Sequence, residues 1–203
     1  AIDDFDRVVK RVFDLVLSTL TLLIAWPIML AIAIAIKLDS KGPALFVQER
    51  IGENGQPFNM FKFRSMVVDA EELAVTVVQE DDNGVLIHKA PNDPRITRVG
   101  KFIRRMSLDE LPQLFNVLRG EMSLVGPRPE LPRLVERYET WQRRRFAVPP
   151  GMTGWWQVNG RSDRMMHLHT EDDLYYIQNY SPLLDIQILW RTVGVVLHGR
   201  GAF

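Results

Sequence analysis

The strongest pattern along this 203-residue chain is an uncharged apolar run from Leu15 to Ile36, LVLSTLTLLIAWPIMLAIAIAI. Arg7, Lys10 and Arg11 precede it, and Lys37, Lys41 and Arg50 follow it. Its 22 positions match the length of about 20 apolar residues that crosses a hydrocarbon core of roughly 30 Å. Pro27 sits near the centre, where a missing N–H and a ring crowding the carbonyl four residues back kink or break a helix. Ser18, Thr19 and Thr21 are placed to satisfy freed carbonyls locally. Basic residues at both ends leave orientation undetermined by charge. The expectation is a helix that enters one leaflet, breaks at Pro27 and returns, so that both basic flanks meet one anionic surface. An ordinary kinked span and a buried core helix are the alternatives. No small-residue cleavage pattern marks the run as a secretory signal.

Beyond this run the pattern shortens. Ala44–Arg50 and Phe58–Met66 read as two strands around Gly52-Glu53-Asn54-Gly55, whose Asn-Gly is a strong hairpin signal. Alternation in the second strand puts Met60, Lys62 and Arg64 on one face and Phe61 and Phe63 on the other. Helical spacing is expected over Met66–Val78, Thr97–Arg105, Ser107–Leu118, Glu130–Phe146, Leu168–Asn179 and Leu183–Leu197, with Gly120 ending the third. Gly154–Val158 reads as a short strand and the acidic, turn-rich Glu80–Pro94 as a loop or insertion. The pattern predicts a mainly helical α+β chain with little sheet.

Composition changes this picture in two ways. Twenty-five Lys and Arg balance 25 Asp and Glu, so no global field favours nucleic acid and any anion site must be local. The absence of cysteine excludes disulfides, thiolate metal sites and a cysteine nucleophile.

Chemistry-bearing residues concentrate between Arg104 and Glu130, RRMSLDELPQLFNVLRGEMSLVGPRPE. Ser107-Leu108-Asp109-Glu110 fits a capping box, which would account for Ser107 and Glu110 without any function. Pro112 allows either Ser107 or Asp109 as the cap, and in both cases the two carboxylates lie at a helix N-terminus. That location favours the anionic form of Asp109, which could then attack phosphorus without a general base. A carboxylate meeting a phosphate faces repulsion of about 4 kcal/mol per charge pair at 4 Å and an effective dielectric near 20. Arg104, Arg105, Arg128, Arg161, Lys62 and Arg64 are the cations available to offset it. Glu110 suits a hard cation such as Mg²⁺, which takes one or two carboxylates together with substrate phosphates. In Gly126-Pro127-Arg128-Pro129 two prolines stiffen the backbone around one arginine. His167 and His169 lack an evident third ligand. Arg143-Arg144-Arg145 reads as a solvated or lipid-headgroup face, and Glu171, Asp172 and Asp173 as a charged first helical turn. No P-loop, Rossmann glycine pattern or G-x-S-x-G is present.

Taken in order, KRVFDLVLS, the proline-interrupted run, GPALFVQERIGENGQPFNMFKFRSM, SLDELPQLFNVLRGEMSLVGPRPE, PPGMTGWWQVNGRS and DLYYIQNYSPLLDIQIL resemble the bacterial sugar transferases known as monotopic phosphoglycosyl transferases. The resemblance covers nearly the whole chain. It implies a re-entrant membrane helix over residues 1–40 and a compact membrane-associated catalytic domain over 41–203, at the cytoplasmic face of the bacterial inner membrane. It implies transfer of hexose-1-phosphate from a UDP-sugar to a polyprenyl phosphate with release of UMP, initiating a surface glycan. By the same resemblance, Asp109 and Glu110 form the catalytic dyad, with Asp109 as nucleophile of an aspartyl phosphosugar and Glu110 holding Mg²⁺. Arg128 and Arg161 would bind phosphates, and Lys62, Arg64 and Arg104 would line the site. Trp26 precedes Pro27 where a small residue such as Ser is common in the family. Transfer through a single ternary complex with Asp109 as base, and a non-catalytic membrane-anchored binding module, are the competing readings. The acidic loop and the closing HGRGAF resemble the larger, hexose-transferring branch, for which glucose and galactose are the expected sugars. Members of this type often carry a further N-terminal membrane region, and a chain opening on Ala1 is expected to be a piece of a longer one. Self-association into a homo-oligomer is left open.

Overall fold

The structure is a computed structural model that describes residues 3–70, 79–80, 86–87, 93–160 and 170–198. Its first element is α1, Asp4–Asp39, a helix of 36 residues and about 54 Å. The Asp3 carboxylate caps it by accepting from Asp6 N at 2.7 Å. The expected break is not a change of secondary structure, because α1 continues through Pro27. The threonines do bond back, Thr19 to Leu15 O at 2.7 Å and Thr21 to Leu17 O at 2.8 Å. Those carbonyls are not the one at Leu23 that Pro27 leaves without a donor. α1 is long and apolar enough to cross a membrane.

One stripe of α1 faces the remainder of the chain at helical spacing: Lys10, Asp14, Ser18, Ala25, Ile32 and Ile36 are buried. The opposite surface leaves Leu20, Leu23, Ile24, Trp26, Ile28, Leu30 and Ile34 exposed. Both ends are tied to the same body. At the start, Arg7 donates to Glu53 Oε1 at 2.6 Å and to Ala147 O at 2.8 Å, and Lys10 pairs with Asp185 at 2.6 Å. Arg11 donates to the carbonyls of Val117 and Leu118, and Asp14 accepts from Leu124 N at 3.0 Å. At the end, Asp39 accepts from Val99 N at 3.0 Å.

The hairpin forms as its turn signal predicts. β1, Leu45–Ile51, pairs antiparallel with β2, Pro57–Phe63, in register from Leu45 opposite Phe63 to Ile51 opposite Pro57. Asn54 and Gly55 both adopt positive φ in the connecting 3₁₀ turn, Glu53–Gly55. Met66 bridges to Ile96, and most of the expected Met66–Val78 helix lies outside the described residues. At the expected loop Glu80–Pro94, β3, Gln79–Glu80, which begins one residue before it, pairs with β4, Leu86–Ile87.

α2, Arg98–Arg105, starts where Thr97 accepts from Gly100 N. The expected Ser107–Leu118 helix divides into a 3₁₀ turn at Leu108–Glu110 and α3, Gln113–Arg119. Ser107 is left-handed, with φ 53°, and makes no side-chain cap, so the capping box does not form. Pro112 instead precedes the first residue of α3, where its missing N–H costs nothing. Gly120 ends α3 with φ 84°.

β5, Ser123–Val125, pairs in parallel with β6, Gly151–Thr153, a pairing between segments too distant for local pattern to predict. The expected Gly154–Val158 strand is instead α5, Trp155–Gly160. The expected Glu130–Phe146 helix shrinks to α4, Pro132–Val135, and a 3₁₀ turn at Gln142–Ala147. The chain bends between them because Glu130, Tyr138 and Arg145 converge on one buried hydrogen-bonded cluster, a geometry that one straight helix cannot make. α6, Thr170–Gln178, and α7, Pro182–His198, match expectation within two residues at each end.

The main core joins Met60, Leu114, Val117, Met122, Leu124, Val125, Tyr176 and Ile188, so β2, α3, β5, α6 and α7 meet there. A second cluster packs Ile32 and Ile36 of α1 against Phe63 and Ile103. Leu111 touches both, directly after the Asp109-Glu110 pair.

Candidate active site

Three segments converge on the Asp109-Glu110 turn. β2 supplies Lys62, the last turn of α2 supplies Arg104, and the segment after β5 supplies Arg128 between two prolines. Lys62 Nζ lies 3.4 Å and Arg128 Nη2 3.1 Å from the same oxygen, Glu110 Oε1. Glu110 thus joins two cations that are 66 residues apart in sequence.

Each cation is held from behind. Asn116 of α3 is fully buried. It accepts from Phe61 N at 3.0 Å and donates to Asn59 O at 2.7 Å, which locks β2 against α3 on either side of Met60 and adjacent to Lys62. The Arg128 segment is clamped by the parallel pair: Gly126 N donates to Thr153 O at 2.9 Å and Gly151 N to Pro127 O at 2.8 Å. A Cβ on Gly151 would collide with the backbone of Gly126 and Thr153, so only glycine permits this approach. Arg50 of β1 donates to Pro129 O at 3.2 Å, and Ile51 N donates to Glu130 O at 2.9 Å.

Burial is the leading electrostatic cause for Asp109, Lys62 and Arg50 alike. It pushes Asp109 above the usual carboxylate range, reinforced by Glu110 next to it, while Lys62 and Arg104 pull the other way. This corrects the expectation that a helix N-terminus shifts Asp109 toward its anionic form: the net shift runs the other way. The turn is 3₁₀, α3 begins only at Gln113, and desolvation exceeds the remaining dipole. Burial also lowers Lys62, with Arg128 and Arg50 adding like-charge repulsion against the pull of Glu110 and Asp109. Arg50 is lowered to about 10 by burial and by Arg128. Two carboxylates therefore share their surroundings with Lys62, Arg50, Arg104 and Arg128. Such a cluster of cations favours an approaching anion.

Arg64 does not join this group. Its guanidinium turns to the end of α1, where it donates to Lys41 O, to Ser40 O at 2.9 Å and to Ser40 Oγ at 3.0 Å. It satisfies carbonyls at a helix C-terminus, a place that favours cations. Arg161, His167 and His169 lie outside the described residues. Pro27 lies within α1, on the membrane-length segment rather than in the cleft.

Two arginines next to the site, Arg145, which is buried, and Arg50, which is half-buried, take up roles that were not legible in the sequence. Arg145 closes a run of three arginines that reads as a solvated face, yet it is 1% exposed. Its partners Tyr138, Glu130 and Asp173 come from three other segments, and Asp173 turns inward from the charged first turn of α6. Arg50 lies in a strand whose alternation gives no sign of what its side chain meets. Among the described residues no group of three or more His, Asp or Glu forms a protein-only metal cage.

With that geometry in place, comparison with known proteins is decisive. The family profile described as Bacterial sugar transferase matches residues 5–199. The chain belongs to this family. Among its relatives, an undecaprenyl-phosphate glucose phosphotransferase of Komagataeibacter xylinus is 44% identical over 100% of this chain and 38% of its own length. A UDP-galactose-lipid carrier transferase of Erwinia amylovora is 46% identical over 97% of this chain and 42% of its own. An undecaprenyl-phosphate galactose phosphotransferase of Salmonella typhimurium is 44% identical over 97% and 42%. The chain thus spans about two fifths of the length of the curated relatives it matches. Glucose and galactose both occur in those names at nearly equal identity, so overall similarity does not discriminate the sugar.

Proposed function

We propose that this chain is the catalytic part of a phosphoglycosyl transferase that moves hexose-1-phosphate from a UDP-sugar to a polyprenyl phosphate, initiating a surface glycan. The observation that carries the reading is Glu110 bound by both Lys62 and Arg128, with Asp109 adjacent in the same cluster of cations. The names of the relatives, undecaprenyl-phosphate glucose and galactose phosphotransferases, support it.

In this mechanism a diphosphate entering the cleft brings negative charge toward Lys62, Arg104 and Arg128. An Asp109 carboxylate oxygen attacks the sugar-bearing phosphorus; the bond from that phosphorus to the bridging oxygen breaks, and the oxygen leaves with UMP. An oxygen of polyprenyl phosphate then attacks the same phosphorus. The aspartyl–phosphorus bond breaks, the Asp109 carboxylate is regenerated and a polyprenyl diphosphosugar departs. Attack uses the ionised carboxylate of Asp109, the form that Lys62 and Arg104 favour against the effect of burial. A carboxylate oxygen of Glu110 would hold a hard cation such as Mg²⁺, completed by substrate phosphates. When bound, such an ion would neutralise charge on the diphosphate.

A polyprenyl phosphate keeps its phosphate at headgroup level, so the cleft must work at one membrane face, which this reading assigns to the cytoplasmic side of the inner membrane. The re-entrant reading of α1 is supported by its two ends. Arg7 and Lys10 at one end and Asp39 at the other bind the same body, while the exposed apolar surface between them suits lipid. Because the chain has no cysteine, single cysteines at Asp4 and Lys41 report topology cleanly. Both are expected to label from one side of sealed vesicles, and labelling from opposite sides would exclude re-entry. For the chemistry, incubation with UDP-hexose but no acceptor is expected to leave a hexose-phosphate adduct on Asp109. Asp109→Asn would form no adduct and lose turnover. Retained turnover in that variant would overturn the nucleophile assignment; wild-type turnover without an adduct would favour direct transfer in a ternary complex.

A further inference from the structure

Arg145 lies behind the Arg128 segment and makes four polar contacts from the 3₁₀ turn Gln142–Ala147. Its Nη2 donates to the backbone carbonyl of Arg128 at 2.8 Å and stands 2.7 Å from Asp173 Oδ2. Its Nη1 donates to Tyr138 Oη at 2.6 Å and to Glu130 Oε2 at 3.4 Å. Tyr138 Oη in turn donates to the same Glu130 oxygen at 3.0 Å. The guanidinium lies 5.8 Å from the Tyr138 ring centre and 6.0 Å from that of Phe146. A charged side chain so removed from water is costly unless its position is specified by partners, and here they come from three other segments.

We infer that Arg145 is a positioning residue for the transfer reaction: by holding the Arg128 carbonyl, it fixes the direction in which Arg128 presents its guanidinium to a substrate phosphate. The inference rests on the reading of Arg128 as a phosphate ligand. Pro127 and Pro129 restrict the backbone on both sides of Arg128, and Arg50 holds the next carbonyl, at Pro129. The carbonyl of residue 128 is the remaining point at which this short segment could turn, and Arg145 occupies it. Only a planar fork reaches Arg128 O, Tyr138 Oη and Asp173 together. A lysine at this position keeps the charge but, as a single compact ammonium, cannot span them. Glu130 belongs to the same unit, since its backbone bridges to Ile51 and its carboxylate receives Tyr138 and Arg145. The segment is therefore oriented from within the fold, without contact between Arg145 and substrate.

The test is a double-mutant cycle in the full chain, reading kcat/KM with UDP-glucose and UDP-galactose as donors. Arg145→Lys is expected to lower kcat/KM at least tenfold, chiefly through KM, in the otherwise unchanged protein. In an Arg128→Ala background the same substitution is expected to cost less than twofold, because no guanidinium remains to be directed. A purely structural role would give the same fold loss in both backgrounds, and that result overturns the inference while leaving the function reading intact. If Arg128→Ala itself leaves kcat/KM unchanged, the reading of Arg128 fails and the inference fails with it. Should Arg145→Lys not fold, Tyr138→Phe serves in its place: it removes the hydroxyl that Arg145 donates to and keeps the ring. A loss of at least threefold that disappears in the Arg128→Ala background supports the inference, and an equal loss in both overturns it.

Discussion

The contact between Lys10 and Asp185 sets how firmly the membrane-length helix is fixed to the domain that carries the cleft. Lys10 is 6% and Asp185 3% exposed at the side chain, and their charged atoms stand 2.6 Å apart. At that distance, with an effective dielectric near 20, the gross attraction is about 6 kcal/mol. Most of it offsets the desolvation of two buried ions. Lys10→Met keeps the stem and removes the ammonium, which leaves the Asp185 carboxylate in a dry site with Tyr176 Oη donating to it at 2.7 Å and with Asp14 as a like charge. Stranding such a charge typically costs about 3–5 kcal/mol. In Lys10→Met/Asp185→Leu no charge is stranded, so the loss is expected to fall below about 2 kcal/mol. Urea unfolding in lipid nanodiscs, followed by tryptophan fluorescence, measures each corner of the cycle. A Lys10→Met loss under about 1 kcal/mol, or a double variant as unstable as the two singles summed, refutes the reasoning.

Other consequences are as direct. Gly151→Ala places a methyl against the backbone of Gly126 and Thr153 and is expected to destabilise by about 1–3 kcal/mol or more, with kcat/KM falling as the Arg128 segment shifts; unchanged melting would mean that β5 and β6 do not meet this closely. Asp173 is raised to about 6, first by burial and then by Asp172 and Glu130, against the pull of Arg145, whose contact at 2.7 Å lacks hydrogen-bond alignment. The folded state therefore binds this proton more tightly than the unfolded chain. The stability it contributes is full below pH ~4 and is lost as pH rises through about 6, by roughly 3 kcal/mol. Unfolding curves from pH 4 to 7 should show that slope in the wild type but not in Asp173→Asn. Asn116→Ala leaves Phe61 N and Asn59 O without their partner and should cost about 2–4 kcal/mol, measured by chemical denaturation, with a matching rise in the KM for UDP-hexose as Lys62 loses its support.

What the amino-acid order determined by itself is whatever depends on residues near one another in the chain. The uncharged length of α1, the Asn-Gly turn between β1 and β2, and the spacing of α6 and α7 are local properties, and each element formed close to where its pattern put it. The order of motifs along nearly the whole chain, from KRVFDLVLS to DLYYIQNYSPLLDIQIL, likewise pointed to the family whose profile matches residues 5–199. Tertiary structure decided whatever depends on partners far away in sequence. Arg64 and Lys62 share a strand face in the pattern, yet one caps the end of α1 and the other meets Glu110, because different segments approach their tips. Pro112 and the left-handed Ser107 divided a helix that periodicity alone would continue. Burial reversed the expected direction for Asp109, since desolvation depends on what covers a carboxylate and not on its neighbours in sequence. Arg145 is the sharpest case. Three consecutive arginines carry no local sign that the third is enclosed, and only the convergence of Arg128, Glu130, Tyr138 and Asp173 makes its burial tolerable.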